Sequence, residues 1–198
     1  MISKKVLAIA LVALSGAANA ATFHFTGNIA NHNDVIRTTF TLDSDATNVR
    51  VWTDSFLSGT NFDPITALWN ATTGELIDEN DDDGSIDPSQ TYYDSGFNIA
   101  SLAAGTYFFT VATYRNFASG DNIADGFVYD NDAPIALSNW CQPANGCNMG
   151  TYWSVWLDGV SSASNPDDPG QVPEPASLAL LGLGLAGLVR SRKQKQAV

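Results

Sequence analysis

The chain has 198 residues, 44% of them hydrophobic, and carries 21 acidic against 9 basic side chains for a formal net charge of −12. Residues 21–175 hold all 21 acidic side chains but only Arg37, Arg50 and Arg115, which leaves that stretch at −18 with no lysine. This balance excludes nucleic acid, whose phosphates need cationic partners. It also argues against adsorption to anionic membranes or acidic polymers by charge alone, while favouring divalent cations and, at the least, conferring solubility.

Residues 1–20 read as a secretory signal peptide. Lys4 and Lys5 form its charged region, residues 6–14 its apolar region, and Ala18-Asn19-Ala20 an A-x-A site, so cleavage falls between Ala20 and Ala21. Export places Cys141 and Cys147 in an oxidising compartment, where an even pair at short spacing reads as a disulfide closing a local loop. Two free thiols or a metal pair are the alternatives, and the lack of a nearby histidine makes Cys-x5-Cys a poor metal site.

Residues 21–160 are the size of one domain and read as all-β. Short apolar runs rich in Thr and aromatics are cut by Gly, Asn and Asp, with no sustained helical period. Strands are expected over 22–26, 35–42, 48–54, 65–70, 75–78, 92–99, 106–114 and 151–157. Ala71-Thr72-Thr73-Gly74 reads as a hairpin connection with Gly74 at positive φ, and Ala103-Ala104-Gly105 as a second turn. Eight strands with regular turn signals predict a single jelly-roll-like β-sandwich. Residues 115–150 are less regular and read as a functional loop or as hiding a strand at 126–129. Residues 161–171, rich in Ser, Pro, Asp and Gly, read as a flexible linker.

Asp78-Glu79-Asn80-Asp81-Asp82-Asp83-Gly84-Ser85-Ile86-Asp87 packs six acidic side chains into ten residues. Calcium takes six to eight oxygen ligands in irregular geometry. Counted from Glu79, acids fall at positions 1, 3, 5 and 9 (Glu79, Asp81, Asp83, Asp87), with Gly84 at position 6 for a sharp bend. Position 12 is Gln90 and no helix flanks the loop, so this is a calcium loop within a sandwich rather than an EF-hand. The alternative is a solvated acidic turn without metal. Transition metals are disfavoured because no His or Cys lies near.

The other residues that invite chemistry have plainer readings. His24 falls in a strand and His32 in a loop. Trp52, Trp69, Trp140, Trp153 and Trp156 either line a sugar-binding face or fill the core. Trp153 and Trp156, three apart on one strand, point to opposite faces, so at least one is buried. No G-x-S-x-G, H-E-x-x-H or Walker pattern occurs, and the chain is read as not an enzyme. A carboxylate pair for glycoside hydrolysis stays open only because 21 acids pair by chance. Gly182-Leu183-Gly184-Leu185-Ala186-Gly187 matches a dinucleotide fingerprint but lacks the βαβ context that gives the pattern meaning.

The middle of the chain carries a resemblance. Phe62-Asp63-Pro64-Ile65-Thr66-Ala67-Leu68-Trp69-Asn70 is followed by Thr73-Gly74-Glu75-Leu76-Ile77, by Asn80-Asp81-Asp82, and later by Gly105-Thr106-Tyr107-Phe108-Phe109-Thr110-Val111. This order resembles the bacterial pre-peptidase C-terminal domain over roughly residues 27–112, and Asn33-Asp34-Val35 resembles that family's early strand entry. The resemblance implies a jelly-roll-like sandwich and an accessory binding module, often with calcium. It also implies that Asp63 and Asp34 approach the acidic loop from neighbouring strand ends.

The last segment reads as a sorting signal. Val172-Pro173-Glu174-Pro175 precedes an apolar run at 176–189 and then Arg190, Arg192, Lys193 and Lys195. The run makes about 21 Å of helix at roughly 1.5 Å per residue, short of a bilayer core of roughly 30 Å. It is therefore marginal as a permanent anchor, and snorkelling basic residues would hold its end at the cytoplasmic face. The three parts in this order resemble the PEP-CTERM signal over residues 172–195, which implies an exosortase partner and transient membrane insertion.

The expectation for the whole chain is an exported, non-catalytic protein of the cell surface or extracellular matrix. It would cross the inner membrane, bind calcium and take exopolysaccharide as a partner. A carbohydrate-binding module using exposed aromatics is the alternative, and a glycoside hydrolase is the less favoured one.

Overall fold

The computed structural model describes residues 21–165. The expected signal peptide, the end of the linker, the sorting motif and its basic flank lie outside the described residues. Within them the chain forms β1 (Ala21–Asn28), β2 (Val35–Leu42), β3 (Ala46–Thr53), β4 (Pro64–Asn70), β5 (Leu76–Asn80), β6 (Gly96–Leu102) and β7 (Gly105–Thr113). There follow β8 (Cys141–Gln142), β9 (Gly146–Cys147), β10 (Tyr152–Val160) and β11 (Ser162–Ser164). One sheet has the order β1-β10-β3-β6 and the other β11-β2-β7-β4-β5, while β8 and β9 make a separate small hairpin. The sequence-adjacent strands β1, β2, β3 and β4 alternate between the two sheets, as a jelly-roll-like sandwich requires.

Period-two patterning builds the core. Along β2 every second residue is buried, from Ile36 to Leu42. Phe25, Val51, Val155 and Leu157 of one sheet meet Phe40, Leu68, Phe109 and Val111 of the other in a single buried cluster. Phe97 and Phe109 touch edge to face across the sheets at 6.2 Å. Strand β4 departs from alternation, with Pro64 through Trp69 all buried. The reason is a second cover: residues beyond β7 fold over the outer face of the five-stranded sheet, where Phe127 packs on Ala67 and Trp69.

The hairpin from β4 to β5 forms as its sequence predicts. Asn70 Oδ1 accepts from the amides of Thr72 (2.9 Å) and Thr73 (3.1 Å), and Gly74 takes φ 77°. Three expectations need correction. The strand expected from residue 92 begins at Gly96, because Asp94 Oδ2 accepts from the amide (2.7 Å) and hydroxyl (2.9 Å) of Thr91 and closes a turn there. The segment 126–129 is not a strand; it contributes one bridge, Ala118 to Phe127. The linker's first residues are strand β11, with Ser162 opposite Thr41 and Ser164 opposite Thr39. Gly84 lies in a turn, as its place in the acidic loop predicts, and a Cβ there would lie 2.5 Å from the Thr91 carbonyl oxygen.

Phe109 is fully enclosed at the centre of the sandwich. Truncation leaves a cavity as well as losing transfer energy, so Phe109→Ala is expected to lower stability by about 3–5 kcal/mol in urea unfolding. A loss under about 1 kcal/mol would contradict this account of the core.

Candidate metal centre

An antiparallel register places the acidic residues. In the β4–β5 pair Thr66 lies opposite Asn80 and Ala67 opposite Glu79. Extending that count beyond the strand ends puts Asp63, just before β4, beside the residues just after β5. There the carboxylates of Asp63, Asp81 and Asp82 come together, with one oxygen of each within 4.8 Å of the others. Two oxygens on a common calcium, each at 2.3–2.6 Å, lie at most about 5 Å apart. The spacing therefore fits a shared cation.

The electrostatics of this group are unbalanced. Asp63 is 3% exposed, and its Oδ1 has no hydrogen-bond partner. Asp81 Oδ1 is likewise enclosed and unpartnered. Burial, then the charges of Asp81, Asp82 and Asp94, push the Asp63 carboxyl up to about 8. Burial, then Asp82 and Glu79, push Asp81 up to about 6. Two unit negative charges about 5 Å apart repel by about 3 kcal/mol at an effective dielectric near 20. Neither carboxyl is within ion-pairing distance of a basic side chain among the described residues.

The backbone of Asp63 is held firmly while its side chain is left wanting. Its amide donates to Gln142 Oε1 at 3.0 Å, and its carbonyl accepts from the Tyr114 amide at 2.8 Å and from Gln142 Nε2 at 3.4 Å. Neighbouring Asp94 is the opposite case. It is fully buried, but Phe56 N, Thr53 Oγ1, Thr91 N and Thr91 Oγ1 all donate to it. Burial raises its pKa and these donors counter the rise.

Of the six acids expected to hold a metal, the structure brings Asp63 and Asp81 together and adds Asp82, which the position count had passed over. The other four have their own partners. Asp83 Oδ1 accepts from the Ser85 amide and hydroxyl, at 3.0 and 2.6 Å. Asp87 lies 3.4 Å from the Arg50 guanidinium. Glu79 Oε1 accepts from the Ala118 amide at 2.7 Å. Asp34 Oδ2 accepts from the amides of Ala30 and Asn31, both at 2.8 Å.

The remaining singled-out residues sort as follows. Cys141 and Cys147 form a disulfide across the β8–β9 hairpin. Trp52, Trp69 and Trp153 are buried, leaving Trp140 and Trp156 partly at the surface. His24 stacks on Trp156 at 3.7 Å, and buried His32 accepts from the Ile135 amide through Nδ1 at 3.2 Å.

The raised carboxyls fix the sign of a pH dependence. A carboxyl whose folded pKa exceeds its unfolded value favours the fold while protonated. That contribution is full below about pH 4 and is lost as pH rises through about 8 for Asp63. In chelator, the melting temperature is therefore expected to fall between pH 5 and 8, and Asp63→Asn to flatten the fall. A wild-type profile that rises over this range would contradict the assignment.

Comparison with known proteins locates one feature. Residues 171–193 match the family described as the PEP-CTERM protein-sorting motif. No curated protein and no solved structure matches the chain. The motif marks an exported, cell-surface-directed protein that is processed by an exosortase. Replacing Pro173, Glu174 and Pro175 by alanine is expected to leave the chain unprocessed in a host carrying the exosortase, as read by its mobility on a denaturing gel. Normal processing would defeat that role for the tripeptide.

Proposed function

We propose that residues 21–165 form a non-catalytic module of the cell surface or extracellular matrix whose β-sandwich is closed at one end by calcium. The observation that carries this reading is the pair of enclosed, unpartnered oxygens, Asp63 Oδ1 and Asp81 Oδ1, beside the carboxylate of Asp82. The donor chemistry suits a hard cation: three carboxylates and neither sulfur nor imidazole. Calcium would supply charge neutralisation, tying the start of β4 to the end of β5. Asp63 would hold it from one strand end, and Asp81 and Asp82 from the other. Waters or backbone carbonyls would complete the six to eight ligands that calcium takes.

The resemblance to pre-peptidase C-terminal domains supports the same reading. Phe62-Asp63-Pro64 and Asn80-Asp81-Asp82, two of the segments that carry it, are those that supply the three carboxylates. The histidines give no support to a catalytic reading, since His32 is buried among hydrogen-bond partners and His24 lies against a tryptophan.

The test is thermal unfolding of the purified protein in calcium, in magnesium and in chelator. At a calcium concentration about 100 times Kd the stabilisation is about 2.7 kcal/mol, or roughly 10 °C for a domain of this size. Magnesium, which demands near-ideal octahedral geometry, is expected to give a smaller rise. An unchanged melting temperature at millimolar calcium would overturn the proposal.

A further inference from the structure

We infer that a cavity beside the disulfide hairpin binds a carboxylate-bearing sugar unit of an extracellular polysaccharide, with Arg115 as the anion's partner. The inference rests on the surface-module reading and names that module's ligand class.

The cavity has a volume of about 290 Å³ and is lined by Tyr114, Arg115, Tyr129, Trp140, Cys141 and Pro143. Small-molecule sites span roughly 300–1,000 Å³, so this one suits a single ring unit rather than a long stretch of chain. Its walls combine what a sugar acid presents. Partly exposed aromatic rings offer flat apolar surface to sugar C–H faces, and tyrosine hydroxyls offer hydrogen bonds at the rim. Trp140 lends ring surface only, because its Nε1 is enclosed.

The charge pattern selects the anion. Arg50, in the same domain, is held between Asp158 at 2.7 Å and Asp87 at 3.4 Å. Arg115 is exposed and forms no ion pair with a described residue. Its Nε donates to Tyr114 Oη at 3.1 Å, and its Cζ lies 5.5 Å from that ring's centre. Arg115 lines the cavity, and its planar guanidinium matches a carboxylate in bidentate fashion. The −18 charge of residues 21–175 opposes loose adsorption of acidic polymers. Exposed charges beyond a Debye length of about 8 Å are screened, however, so a local guanidinium still selects.

The site is preorganised, which reduces the ordering cost of binding. Tyr129 is fixed by its amide donating to Asn116 Oδ1 at 2.8 Å and by its Oη accepting from the Arg115 amide at 3.4 Å. Trp140 packs on His32 at 4.2 Å and on the edge of Tyr129 at 5.5 Å. The Cys141–Cys147 disulfide clamps the hairpin that carries the rim, and Gln142 Nε2 donates to the Tyr114 carbonyl at 2.9 Å.

The experiment is calorimetric titration of the purified protein, in constant calcium, with the disaccharides of galacturonate, glucuronate and mannuronate, each beside its neutral counterpart. At least one uronate is expected to bind saturably and at least tenfold more tightly than its neutral counterpart. Arg115→Gln is expected to weaken that binding at least tenfold without shifting the melting temperature. No saturable binding of any uronate, equal binding of the neutral sugar, or binding indifferent to Arg115→Gln would each overturn the inference. Calcium stabilisation is measured on the same samples: its survival while sugar binding fails removes this inference and leaves the metal centre standing.

Discussion

A carboxylate shut away from water beside two others, with no ion-pairing cation among the described residues, is the constraint around which this end of the sandwich is organised. Burial alone disfavours the charged form of Asp63, and Asp81 and Asp82 add like-charge repulsion. A fold can meet that demand by keeping a proton on the group or by bringing in a positive charge. Arg50 is engaged by Asp87 and Asp158, and the hydrogen-bond donors that relieve Asp94 have no counterpart at Asp63 Oδ1. A divalent cation answers the charge and the empty acceptor sites together.

The position of this group gives it leverage over distant parts of the chain. Asp63 sits where β4 enters the sheet, and its backbone is gripped by Gln142 of β8 and by the amide of Tyr114 just beyond β7. Gln142 also bonds the Tyr114 carbonyl. The same few hydrogen bonds thus anchor Asp63, the disulfide hairpin and the start of the loop that carries Arg115. Repulsion that displaces Asp63 would be felt along all three. A displacement of Asp63 would therefore reach the wall of the aromatic cavity through Gln142 and Tyr114.

Strand positions were legible because they rest on a strong local signal. Alternation along residues 35–42 and the Asn70–Gly74 turn are encoded by neighbours in sequence. Local pattern and structure part where a distant partner decides. Tyr92 and Tyr93 look like strand residues, yet Asp94 turns the chain by bonding back to Thr91. Ser162–Ser164 look like linker, yet pair through backbone groups with β2, which composition does not record. The metal group shows the same division. Asp63 and Asp81 are among the expected ligands, but counting loop positions 1, 3, 5 and 9 from Glu79 passes over Asp82. The actual arrangement is two strand ends brought side by side. Running the hairpin register outward from Asn70 would have set Asp63 against 82–83 and pointed to Asp82. Nothing local marks Asp94 as a neighbour, because it arrives from beyond the turn.

The most direct measurement is calorimetric calcium titration of the purified wild-type protein alongside Asp81→Asn and Asp83→Asn. The account predicts one site per chain, lost in Asp81→Asn and retained in Asp83→Asn, whose carboxylate already serves Ser85. Absence of binding to the wild type, or equal loss in both variants, would contradict a centre built on Asp63, Asp81 and Asp82.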